Sequence, residues 1–272
     1  MVRQLTPILQ LADNLRMRNP FVTGVLCLSA LLLPSVRADA QGHVAEVGIM
    51  PWKPSPELVL STDTLSGFSV DEVDFVREFG IKKKWFPEFR AALGRSHKFR
   101  MSYVKFNYEA DATIQRTFTF QGRTFTVGAP ATTDIEWDLW KLGYEWDFVS
   151  TDQGFFGVFT DLKINQVTGL VDSPALRAAA TTDVTAPVPT IGVIGRGYLS
   201  RSVSVTGEFS GLKWSNDDFD VKFFDFDIYG MIGSPTGGAQ IGYRSVVADY
   251  LVNEDSGDLK MQGMYFGGYL RF

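Results

Sequence analysis

Most of the chain alternates apolar and polar residues with a period of two. Trp140, Leu142, Tyr144, Trp146 and Phe148 alternate with Lys141, Gly143, Glu145 and Asp147. A pleated strand sends successive side chains to opposite faces, so this stretch predicts a strand with one apolar and one polar face. Residues 156–165, 203–210, 224–232 and 239–247 repeat the pattern, and residues 191–196 carry a weaker form. Residues 98–108 begin with Phe99, Met101 and Tyr103 on the apolar face and then change phase to Val104, Phe106 and Tyr108. That slip predicts a bulge. Residues 257–272 complete a set of eight. Upstream, residues 85–93 form a ninth, with Pro87 at a strand end or bulge because it cannot donate to a ladder. Residues 58–65 are a fainter tenth.

The connections alternate in length. Short turns fall at 94–96, 150–153, 200–202 and 233–237, and longer polar loops at 67–82, 110–133, 171–185, 215–218 and 253–258. Within the first long loop, residues 70–79 have room for one or two helical turns. The second contains T-F-T-F-Q-G-R-T-F-T-V. That stretch predicts a hairpin with Gln121 and Gly122 at its tip, extending away from the strands.

The last sixteen residues read G-D-L-K-M-Q-G-M-Y-F-G-G-Y-L-R-F. Their length suits a tilted strand crossing a bilayer, which needs about 9–11 residues. This stretch resembles the closing strand of Gram-negative outer-membrane β-barrels, whose assembly signal is an aromatic terminus, an apolar residue two places earlier and a glycine five places earlier. Here those positions are Phe272, Leu270 and Gly267. With the alternating strands and the turn asymmetry, the resemblance to small porin-like outer-membrane barrels covers most of residues 58–272. It implies an all-β fold, a closed antiparallel up-and-down transmembrane β-barrel. Such barrels use an even number of strands. Ten is favoured, and eight with an N-terminal appendage is the alternative. The resemblance also implies outer-membrane lipid, lipopolysaccharide and the barrel assembly machinery as partners, the last through the C-terminal strand.

The N-terminus agrees with export. Arg3, Arg16 and Arg18 precede an apolar run over residues 21–36, and Ala38-Asp39-Ala40 follows. Residues 1–40 therefore read as a signal peptide cleaved before Gln41. An uncleaved anchor is the alternative. Cleavage removes the only cysteine, Cys27, and shifts the formal charge from −5 to −7 by removing four arginines and two aspartates. Residues 41–56, with Pro51, Pro54 and Pro56, read as a periplasmic segment without regular structure. The barrel is then residues 57–272. Aromatics make up 14% of the chain, including 22 Phe and 6 Trp. That richness suits aromatic girdles. The acidic balance gives no support to nucleic-acid binding.

The polar faces supply the candidate functional residues. The lumen acids are Glu88, Glu145, Asp147, Asp161, Glu208, Asp225 and Asp227. The lumen bases are Arg90, Lys98, Arg100, Lys141, Lys163, Arg196, Arg244 and Arg271. A small barrel has little more room than its side chains need, and buried charges must pair. A salt-bridged lumen, closed or narrowly conducting, is therefore expected, and removal of Arg244 should open it. The only histidines, His43 and His97, both fall on the turn side, so no histidine base is expected at the outer rim. No catalytic residue, metal site or cofactor is assigned. A narrow channel or structural barrel leads, a loop-mediated binding or adhesion barrel follows, and an outer-membrane enzyme comes third.

Overall fold

The computed structural model describes residues 43–61, 73–120, 123–216, 219–252 and 255–272. The signal-peptide reading of residues 1–40 and the hairpin tip Gln121-Gly122 lie outside them. Ten antiparallel strands form the wall: β1 (Ala45–Trp52), β4 (Phe86–Gly94), β5 (His97–Thr113), β8 (Pro130–Thr151), β9 (Gly154–Ser173), β10 (Ala178–Tyr198), β11 (Val203–Asn216), β12 (Phe219–Ser234), β13 (Gly237–Val252) and β14 (Asp255–Arg271). Each pairs with the next in this order, and β1 pairs back onto β14 to close the barrel. Closure removes the free sheet edges that an open sheet of this size would expose. Five further elements complete the described residues: β2 (Ser55–Ser61) and β3 (Val73–Asp74), which extend the same sheet beyond β14, the hairpin β6 (Phe118–Phe120) with β7 (Arg123–Phe125), and a five-residue helix α1 (Phe75–Phe79).

One end of the barrel carries the tight turns and both chain ends of the wall. Val44 N donates to Phe272 O at 2.7 Å, and Phe272 N donates to Ala45 O at 2.9 Å. At the first tight turn Gly94 has φ +129, and a Cβ there would lie 1.9 Å from His97 O. Only glycine fits such a position.

Within the segment 41–56, residues Ala45–Trp52 are not irregular. β1 runs through it, pairing Glu46 with Arg271 and Trp52 with Tyr265 on β14. Its alternation is hard to read because prolines occupy places where a ladder N–H is absent. Pro51 faces Pro87 across the β1–β4 pair. Neither can donate. The wall strand breaks at Lys53-Pro54 and resumes as β2 along the same β14, from Ser55 opposite Gln262 to Ser61 opposite Ser256. The count of ten strands therefore holds, but the first begins at Ala45 and not near residue 58.

The phase slip in β5 is not a bulge either. Even-numbered residues face inward along the whole strand: Lys98, Ser102, Val104, Phe106 and Tyr108 are all buried. The polarity of the two faces exchanges instead. Outward residues pass from Phe99, Met101 and Tyr103 to Lys105, Asn107 and Glu109, while inward residues pass from charged to apolar. β8 exchanges between Asp138 and Trp140 on its outer face and between Leu139 and Lys141 on its inner face. β12 does so between Lys222 and Phe224 outside and between Phe223 and Asp225 inside. Below this level the barrel is apolar outside and polar inside, as lipid requires. Above it the barrel is polar outside and apolar inside, like a water-soluble barrel. The strands β8, β9 and β10 are 22, 20 and 21 residues long. That is about twice the length needed to cross a bilayer.

Candidate functional site: a two-layer lumen

The lower layer of the lumen is a network of charges. At the turn end Arg271 Nε meets Glu46 Oε2 at 2.7 Å, and Arg196 Nη1 lies 3.8 Å from the same oxygen. Lys98 Nζ holds Glu145 at 2.5 Å and Asp147 at 2.6 Å. Higher up, the bonds cross the barrel. Arg90 on β4 binds Asp227 on β12 at 2.9 Å and its neighbour Glu88 at 2.9 Å. Arg100 on β5 reaches Glu208 on β11. Lys141 on β8 reaches Asp225 on β12 at 2.7 Å. Arg244 donates from Nε and Nη2 to both oxygens of Asp225, at 3.0 and 2.9 Å, and from Nη1 to Glu88 at 3.0 Å. Lys163, fully buried, donates to Ser210 at 2.7 Å and to Thr190 at 3.1 Å, with Asp225 at 3.5 Å. Tyr265 and Tyr229 donate to Asp227 and Glu208 at 2.8 and 3.0 Å.

All fifteen charges read from the polar faces line this space. Fourteen of them enter its ion pairs. Asp161 has none among the described residues; it is buried over Gly143 and faces the remaining cavity of about 120 Å³. Isolated charges in such a space would each cost several kcal/mol, roughly, so the crossed pairing is what makes the layer tenable. Aromatic faces add to it. The Arg244 guanidinium lies 5.0 Å over Trp52, Arg90 4.7 Å over Tyr265 and Arg100 4.4 Å over Phe159.

The upper layer was not foreseen from the sequence. Trp52, Phe86, Phe106, Leu139, Phe223, Val246 and Met261 are buried inside the barrel directly above Arg244 and Asp225. Phe106 packs against Trp52 at 5.6 Å, Phe86 at 5.1 Å and Trp137 at 4.9 Å. Such ring pairs add about 0.5–1.5 kcal/mol each beyond burial. Over this layer the described residues of the hairpin β6–β7 turn two rings inward. Phe118 and Phe125 are fully buried and stack at 5.3 Å, and Phe118 meets Phe79 of α1 edge-on at 6.2 Å. Helix α1 is capped by Asp74, which accepts from Arg77 N at 3.0 Å, and ends on Gly80 at φ +65. Both are ordinary ways to satisfy helix ends. The signal for the upper layer was present: Val104, Phe106 and Tyr108 fall on the same parity as Lys98 and Ser102.

Both histidines sit at the turn end. His97 stacks on Trp146, with 3° between the rings, and its Nδ1 is 2.5 Å from Tyr144 Oη, within the aromatic girdle. His43 lies in the barrel mouth 3.8 Å from Glu46, where burial and then Arg271 push its pKa down to about 4. Of the terminal residues, Leu270 and Phe272 face outward, at 56% and 70% exposure. Gly267 lies on the inner face against β1, where a Cβ would come 2.1 Å from Ile49 O. Among the described residues no group of three or more His, Cys, Asp and Glu side chains is placed to hold a metal.

No protein-family model matches the chain, and no curated protein matches it. Solved structures do. The outer membrane protease OmpT from Escherichia coli matches with a TM-score of 0.52 at 9% identity, over 88% of this chain and 99% of that one. The outer membrane protein AlkL, solved in DMPC lipid bilayers, matches at 0.39 and 12% identity, over 89% and 96%. The transport unit of the autotransporter AIDA-I from Escherichia coli matches at 0.36 and 9% identity, over 93% and 97%. At these identities the first likeness speaks for the fold alone, and the other two scores are too low to add to it. The chain is an all-β, closed, antiparallel ten-stranded up-and-down barrel with the fold of the small outer-membrane β-barrels.

Proposed function

We propose that the protein is an integral barrel of the Gram-negative outer membrane that keeps its lumen closed. It acts as a structural barrel or a narrow, gated channel and not as a general diffusion pore. One observation carries this reading: the charges crossing the lumen from β4, β5, β8 and β13 are capped by the apolar layer of Trp52, Phe86 and Phe106. An ion entering from outside would meet hydrocarbon first and paired charges second, and both raise its energy. The outward apolar side chains of β8 to β14 supply the lipid-facing band. Phe272 and Leu270 stand where the assembly machinery reads a closing strand.

Purified protein in a planar bilayer tests this. The expected record shows no discrete openings at moderate voltage. Large, stable channels from the wild-type protein would refute it and put an open porin in its place.

A further inference from the structure

The outer boundary of the lipid band is marked by lysines, and most that stand on the wall are neutralised. Lys105 meets Glu136 at 3.0 Å, Lys260 meets Glu57 at 3.2 Å and Lys222 lies 3.8 Å from Asp220. One group differs. Lys82, Lys83 and Lys84 follow one another in the exposed segment between α1 and β4, and Lys53 is exposed beside them at the break between β1 and β2. None of the four makes an ion pair with a carboxylate among the described residues.

Their height is fixed by three contacts. Lys53 Nζ lies 5.5 Å over the ring of Trp85, which is 48% exposed. Trp85 packs edge-on at 5.2 Å against Phe266, an outward residue of the lipid-facing band. Lys84 Nζ donates to Asn107 O at 3.4 Å, just above Lys105, where the outer face of β5 turns polar. The ammonium groups of Lys53 and Lys84 therefore straddle the step from apolar band to polar collar, and Lys82 and Lys83 precede Lys84 in the same exposed segment. That is headgroup height, with an interfacial tryptophan beneath them. The whole chain has a formal charge of −5. Three successive lysines with Lys53 nearby form a basic patch on it, bordered by Asp134 beside Lys84.

The geometry points to a site for a phosphorylated lipid headgroup of the outer leaflet, held by Lys53, Lys82, Lys83 and Lys84 with its acyl chains against Trp85 and Phe266. Lysines serve as point charges for phosphate, and three in succession on long side chains can follow a headgroup with more than one phosphate. This rests on the outer-membrane reading and adds to it a chemical class and an address.

The test uses the full chain reconstituted in zwitterionic bilayers, with fluorescent lipid A and its dephosphorylated form as probes. Wild-type protein should prefer the phosphorylated form by about tenfold or more, and Lys53→Ser/Lys82→Ser/Lys83→Ser/Lys84→Ser should lose about tenfold of that affinity. A control variant, Lys105→Ser/Lys222→Ser/Lys260→Ser, should change it by less than about twofold, because those charges are already paired. Equal affinity for the two lipids, an unchanged quadruple variant, or complete displacement by millimolar inorganic phosphate would overturn the inference. Heat-modifiable migration reports insertion separately. A protein that fails to insert overturns both readings, and one that inserts without phosphate preference overturns only this one.

Discussion

Arg244→Ala should destabilise the barrel strongly without opening it. Arg244 is fully buried and makes three hydrogen bonds to charged groups, two to Asp225 and one to Glu88. Removing one member of a buried ion pair costs about 3–5 kcal/mol, because its partner is left in a poor solvent. Here the lower end applies. Asp225 keeps Lys141 at 2.7 Å and Lys163 at 3.5 Å, and Glu88 keeps Arg90 at 2.9 Å. We therefore expect a loss of about 3 kcal/mol. The reference is Lys105→Ala. Its pair with Glu136 is 44% and 43% exposed. Water and salt screen such a pair, so its loss should be barely measurable. Urea unfolding from lipid vesicles, followed by tryptophan fluorescence, measures both. A cycle with Asp225→Ala should show coupling of at least about 1 kcal/mol. From the polar faces alone, loss of this arginine should open the lumen. The apolar layer changes that outcome, since Trp52, Phe86 and Phe106 stay in place above the defect. Arg244→Ala should remain non-conducting, and leak should need Trp52→Ala in addition. A loss below about 1 kcal/mol, or no coupling to Asp225, would refute the reasoning.

The exchange of polarity can be tested with one substitution at two heights. Phe226→Arg, in the lipid band, should cost about 2–4 kcal/mol, while Thr168→Arg, outward on β9 above the boundary, should stay within about 0.5 kcal/mol; equal costs in vesicle unfolding would dismiss the boundary. Phe272→Asp should abolish insertion, read as loss of membrane yield and of heat-modifiable migration. The reason is that a charge would replace a 70% exposed outward ring beside the β1–β14 closure, where lipid penalises it. His43 is held neutral in the folded state, with its pKa down from 6.5 to about 4. The unfolded chain binds the extra proton first, so this contribution to stability is full above about pH 6.5 and is lost as pH falls towards about 4. His43→Gln should flatten that part of the stability profile relative to wild type, and parallel profiles would count against the assignment.

Much of the barrel was legible because a pleat leaves no freedom: once a strand's parity is set, every second residue shares a face. That placed Glu145, Asp161, Asp225 and Arg244 on one side and Trp146, Leu162, Phe224 and Tyr243 on the other. The tight turns and the aromatic terminus then pointed to a membrane barrel. Parity does not say which face meets water. On β5 the residues Val104, Phe106 and Tyr108 looked like a change of phase, although only the surroundings change, from lipid around the wall to water around it. β1 was hidden for a related reason: Pro51 and Pro87 are tolerated facing each other next to the last pair of the β1–β4 ladder, a pairing that only the closed wall defines. The pairing of charges depended most on the tertiary structure. Arg244 and Glu88 are 156 residues apart in the chain, and Arg100 and Glu208 are 108 apart. Local pattern holds no record of such distances. They are set by how many strands close the barrel and by the register in which β1 meets β14, which together decide which side chains face each other across the lumen.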